Sequence, residues 1–327
     1  MERINNLDFI RGLCILYVVF YHMSLTYGLI SFNSTNGYVL FNMMSFFMTP
    51  FYVFSGYMFS NRRSPKAFVK NKINKLIIPY LFCGAISIII FYAYQYISLG
   101  TIQLLSPFEG FLGTCGLKSN TPLWFFFSLF AVSTIYYFAQ RFMSNSKLNI
   151  FILLCFVFAY ILHNRMQLFS WGNISLGLVY FHLGHYLKIL VENSERRFLL
   201  LLFFGALCIY ILINVFDSQN MAFVLLYQRE GMFILNLPFS LAACYILWFI
   251  TSRMCNSNII SWVGKNSLVL FASHRIILNY CYDPIIRLIK PNISYGEYML
   301  TGGVTVAIAY IIFLYALNRY MPKVIGA

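Results

Sequence analysis

One apolar stretch, LDFIRGLCILYVVFYH (residues 7–22), holds three ionisable side chains at the spacing of a helix face. Asp8 and Arg11 are three residues apart, the separation at which helical side chains meet, so they are expected to form a local ion pair. His22 follows Arg11 by eleven residues. That is close to three turns, so it returns to nearly the same face roughly 16 Å farther along the axis. Ionisable groups inside an apolar span cost on the order of several kcal/mol each, which marks them as candidates for chemistry. A neutral imidazole at the end of such a stripe can take a proton from a hydroxyl. His22 is therefore a candidate general base, with Asp8 and Arg11 as a charge pair at the mouth of the stripe. A histidine hydrogen-bonded between helices for packing is the plainer alternative, but it gives the aligned Arg11 no role.

Three further groups carry polar chemistry. WVGKNSLVLFASH (262–274) ends on Ser273 and His274, followed by Arg275. It places His274 at a depth like that of His22, as a shared cavity would require; Arg275 receives no role. Arg62, Arg63, Lys66, Lys70, Lys72 and Lys75 fall within fourteen residues that contain no acidic side chain. They are either an anchor attracted to anionic lipid or a docking site for a polyanion, and the charges alone support both. Lys72 and Lys75, spaced i, i+3 before Pro79, are expected to present two cations from one face. His182 and His185 sit near a helix end where polar groups are cheap, and are read as structural. With no acidic partner in that helix, no metal site is expected. The glycine run GFLGTCG (110–116) lacks the Gly-Lys-Ser/Thr of a phosphate loop and reads as an external loop. No G-x-S-x-G nucleophile elbow occurs.

The elements that must position these groups are membrane helices. Of 327 residues 60% are hydrophobic and 10% charged, where a soluble domain carries about 25% charged. Mean hydropathy is +0.73. Apolar runs of about 18 or more residues recur from end to end, and no alternating β-barrel pattern is present. The expected fold is an all-α, polytopic membrane bundle of about ten spans: 9–29, 38–59, 76–98, 122–140, 148–163, 170–189, 198–216, 231–250, 260–281 and 298–317. The fifth is the shortest. The first run follows a polar, acidic leader and lacks a small-residue cleavage site, so it is expected to remain in the protein.

With the N-terminus inside, seventeen Lys and Arg fall inside and five outside; with Arg275 within a helix, these account for all 23. That asymmetry selects an N-in, C-in orientation. The same placement, in short loops between apolar runs, explains the net charge of +14 without nucleic acid, for which no motif is present. The eight cysteines are scattered with no C-x-x-C pair and read as small packing residues. No internal repeat or long linker appears, so residues 1–327 are expected to form a single membrane-embedded domain.

Five segments in order resemble the membrane acyltransferase-3 family, the bacterial O-acyltransferases that modify cell-surface glycans. They are the helix-1 run with Leu7, Asp8, Ile10, Arg11, Gly12 and His22; FFMTPFYVFSGYMF (46–59) with Ser55, Gly56 and Tyr57; VKNKINKLIIPYL (69–81); PLWFFFSLF (122–130) with Trp124; and Gly264 through His274. The chain departs from the family in carrying Lys72 and Lys75 where paired arginines stand. Lysine binds phosphate as a point charge, without the bidentate fork.

The resemblance implies an acyltransferase of the cell (inner) membrane. It would move an acetyl group from cytosolic acetyl-CoA, as co-substrate, to a hydroxyl of a surface or lipid-linked glycan. His22, Arg11 and Asp8 would be catalytic, Lys72, Lys75, Arg62 and Arg63 would hold the donor, and Ser55, Tyr57, Trp124 and His274 would contact substrate. Membrane lipid and a glycan acceptor would be the partners. A transporter or flippase of a glycan or small anion is the alternative, which the absence of repeats and of paired broken helices opposes.

Overall fold

In lipid every backbone amide must be satisfied within its own segment, so runs this apolar become helices. The structure, a computed structural model, describes residues 5–28, 46–162, 169–216, 233–253 and 257–320, and no strand occurs among them. The helices are α1 (Asn5–Tyr27), α2 (Thr49–Tyr57), α3 (Pro65–Lys72), α4 (Ile78–Leu99), α5 (Trp124–Phe142), α6 (Asn145–Leu162), α7 (Trp171–Asn193), α8 (Arg196–Phe216), α9 (Phe233–Thr251), α10 (Asn258–Lys265), α11 (Ser267–Ile276), α12 (Asp283–Ile289) and α13 (Tyr295–Tyr320), with one short turn at Phe111–Thr114.

Among the described residues, seven helical stretches are long and apolar enough to cross a membrane: Asn6–Tyr27, Pro65–Leu99, Thr121–Phe142, Asn145–Leu162, Trp171–Asn193, Arg196–Ile213 and Tyr295–Arg319. The chain is thus a multi-pass helical membrane protein. The fifth expected span, the shortest in the sequence reading, is among the seven. Of the other three, residues 38–45 of the second lie outside the described residues. The eighth contributes the shorter apolar helix Leu237–Thr251. The ninth is broken into α10 and α11 at Asn266 and continues through a π-helical turn, Ile277–Tyr282.

Both π turns stand just before a proline. Ile73–Ile77 joins α3 to α4 ahead of Pro79, and Ile277–Tyr282 joins α11 to α12 ahead of Pro284. Proline brings no N–H for the carbonyl four residues back, and a widened turn accommodates the gap.

Helix packing follows the glycines. α1 lies chiefly on α10 and α11, α2 on α7, and α7 also on α5 and α6. Where α1 crosses α10, a Cβ on Gly264 would collide with the Asp8 carbonyl and the Gly12 amide, and one on Gly12 would strike the Ile260 carbonyl. The α2–α7 crossing repeats the device, with Gly56 against the Phe181 backbone and Gly184 against that of Val53. Helices without a hydrophobic drive between them associate through such close backbone contact.

The core is aromatic, with Tyr52, Tyr136, Tyr137, Phe54, Phe125, Phe126 and Phe181 fully buried. Buried phenols find partners: Tyr52 donates to Ser128 Oγ at 2.9 Å, and Tyr137 to the Arg63 carbonyl at 2.7 Å. The outward faces keep large apolar side chains such as Leu81, Ile89, Leu154, Leu201 and Ile312 exposed, as lipid contact requires.

Candidate active site

The α1–α10 crossing fixes α1 against the broken ninth helix and brings together two histidines 252 residues apart. His274 Nε2 lies 3.3 Å from His22 Nδ1, with ring centroids 4.9 Å apart. His22 Nδ1 is also 2.9 Å from the Val18 carbonyl, and His274 Nδ1 is 3.0 Å from the Leu270 carbonyl. A carbonyl only accepts, so in the neutral pair each Nδ1 carries the proton. His274 Nε2 is then a bare acceptor for the His22 Nδ1–H, which is shared with Val18. The consequence is a lone pair on His22 Nε2. A proton taken up there would leave an imidazolium whose Nδ1–H points at two acceptors. His274 is fully buried, which keeps water from competing for that contact.

Asp8 and Arg11 form the expected i, i+3 pair at 3.5 Å, Asp8 being the more buried. Arg11 also reaches the Met58 sulfur at 3.8 Å, tying the start of α1 to the end of α2. The basic segment gathers beside it. Lys72 stands 5.5 Å from the Phe68 ring centroid and feels Arg11, Lys75 and Arg63 electrostatically. Arg62 and Arg63 are exposed, with the Arg63 carbonyl held by Tyr137.

Lys75 lies within the π turn that begins directly after Lys72, and its charge acts on Lys72. Lys75 lines a cavity of about 30 Å³ with Pro79 and Cys83 on one side and Leu268, Val269 and Ala272 of α11 on the other.

Ser55 donates to the Phe51 carbonyl of its own helix at 2.6 Å, and Tyr57 is buried within electrostatic reach of Glu192. Neither hydrogen-bonds the histidine pair. Trp124 connects to it only through rings: Trp124 to Phe125 at 6.1 Å, Phe125 to Phe271 at 5.1 Å, and Phe271 to His274 at 6.0 Å. His182 meets the Tyr136 hydroxyl at 3.0 Å and His185 the Gln140 amide at 3.3 Å, a polar seam between α5 and α7.

One contributor escaped the sequence reading. Part of the loop read as external is buried in the bundle: Cys115, Leu117, Ser119 and Asn120 are buried, and Asn120 Nδ2 donates to the Ala272 carbonyl at 2.8 Å. It braces α11 two residues before His274. Glycines and small polar residues read as a solvated loop, and no periodic signal distinguishes the buried case. Below α1, Arg287 pairs with Asp283 at 2.8 Å and donates to the Thr26 carbonyl at 3.1 Å. This caps the end of the His22 helix.

A family model described as an acyltransferase domain, that of the acyltransferase-3 family, matches residues 4–314. No curated protein and no solved structure matches the chain.

Proposed function

The chain belongs to the acyltransferase-3 family and is a membrane acyltransferase; from that premise we propose that it moves an acetyl group from cytosolic acetyl-CoA to a hydroxyl of a surface or lipid-linked glycan, in the inner membrane of a bacterial cell. The observation that carries this reading is the histidine pair, which leaves a lone pair on Nε2 of the half-buried His22. The acceptor hydroxyl gives its proton to His22 Nε2 as its oxygen attacks the thioester carbon. His274 accepts from the opposite nitrogen and so steadies the imidazolium as it forms. When the intermediate collapses, the C–S bond breaks and His22 returns the proton to the CoA sulfur. His274 thus holds and orients His22, a more specific role than substrate contact.

The cluster of Arg11, Arg63, Lys72 and Lys75 supports docking of a polyanion such as the nucleotide end of CoA, in preference to a lipid anchor alone, because those charges converge beside the His22 helix. Ser55, Tyr57 and Trp124 line no hydrogen-bonded route to the pair, and their proposed substrate contacts rest on the family resemblance. The family assignment does not favour the transporter alternative. The test is mass spectrometry of surface glycan from a deletion strain carrying wild-type or His22→Ala protein. Acetyl groups should be present with the first and missing with the second; equal acetylation would remove the reading.

A further inference from the structure

Acyl transfer needs more than a base, because negative charge develops on the thioester oxygen. Arg275 follows His274 on α11, about 100° around the helix and 1.5 Å farther along it. Its guanidinium lies within electrostatic reach of His22, His274, Tyr21 and Tyr280. It is only partly exposed and, among the described residues, it donates no hydrogen bond.

Nor does a described carboxylate neutralise it. Asp8 pairs with Arg11, Glu109 with Lys118, Glu192 with Lys188, Asp283 with Arg287 and Glu297 with Lys290, while Glu195 lies in the connection between α7 and α8. A cation held within a membrane bundle at this cost, with neutral phenols around it, is suited to charge that arrives with the substrate.

We propose that Arg275 is a catalytic residue that donates to the thioester carbonyl oxygen and stabilises the oxyanion formed as His22 deprotonates the acceptor. This rests on the acyl-transfer reading above. The acceptor oxygen bonds to the carbonyl carbon, the C=O electron pair moves onto oxygen beside the guanidinium, and the proton goes to His22. Collapse restores C=O, breaks C–S and delivers that proton to sulfur. Arginine can direct a bifurcated pair of N–H groups at one oxygen, and carries a charge that deprotonation does not remove.

The test uses full-length protein in native membranes with their endogenous acceptor, and acetyl-CoA labelled in its acetyl group. Turnover is normalised to folded protein. Arg275→Gln should lower turnover at saturating acetyl-CoA by roughly 10²–10³-fold while the acetyl-CoA KM changes little. Arg275→Lys should retain more activity than Arg275→Gln, and added guanidinium should partly restore Arg275→Ala. Guanidinium rescue would not repair a merely structural loss.

Near-wild-type turnover in Arg275→Gln, beside an inactive His22→Ala, would overturn the assignment and leave acyl transfer standing. So would a change confined to KM, which would make Arg275 a binding residue. No labelled transfer by the wild-type protein would bring down the acyl-transfer reading, and this assignment with it.

Discussion

In the proposed reaction His22 is the base, and its replacement has a definite expected size. His22→Ala should lower transfer by roughly 10²–10⁴-fold, the usual contribution of a positioned base, with insertion and abundance unchanged. His274→Ala should lower turnover less and leave the acetyl-CoA KM near its wild-type value, because His274 acts through His22 without holding the donor. Kinetics on the two single variants and the double variant check this. If the double variant is far worse than His22→Ala, the two histidines work separately and the pair is not a unit. At the donor end, Lys72→Ala with Lys75→Ala should raise the acetyl-CoA KM about tenfold or more, as losing a charged contact would, and the KM should also rise with salt. Arginine at both positions should keep or improve binding. An unchanged KM would reduce the segment to a topology anchor. The Asp8–Arg11 pair was legible in the sequence because its spacing is local, and His274 was legible as a polar residue at matching depth. The direct contact between His22 and His274 was not: it depends on how helices carrying residues 252 apart cross.

That crossing is written in glycine, at the scale of elements. Gly264 lies against the Asp8 carbonyl and the Gly12 amide, so Gly264→Leu should force α1 off α10. It should cost about 1–3 kcal/mol or more in stability and separate the histidines. Gly303, on α13 with nothing within 4 Å of an added Cβ, is the control. Gly303→Ala should be neutral, or stabilising by up to about 1 kcal/mol. Thermal unfolding in detergent with a parallel transfer assay distinguishes them, and equal stability of the two variants would mean that the α1–α10 contact is not tight. Helix existence could be read from apolar runs, and the two breaks could not. The π turns follow from Pro79 and Pro284, yet a proline in an apolar run says only that something must give. The burial of Cys115, Leu117, Ser119 and Asn120 had no signal, since Asn120 is recruited by the carbonyl of Ala272, a long-range partner.

At the scale of the whole molecule, the proposed reaction has two sides. In the orientation proposed from the charge asymmetry of the loops, the 60–75 segment faces the cytosol, and His22 stands roughly 16 Å beyond Arg11 along α1. Donor and acceptor should therefore meet His22 from opposite faces of the membrane. Cysteines placed near Lys66 and Lys118, in a background lacking the native thiols, should be labelled from opposite sides. The most direct measurement is acetyl transfer in sealed, right-side-out vesicles with labelled acetyl-CoA supplied either inside or outside, with His22→Ala vesicles in parallel. Transfer is expected only from the lumenal donor and only with wild-type protein. Efficient transfer from external acetyl-CoA across vesicles shown to be sealed, or transfer by His22→Ala, would contradict it.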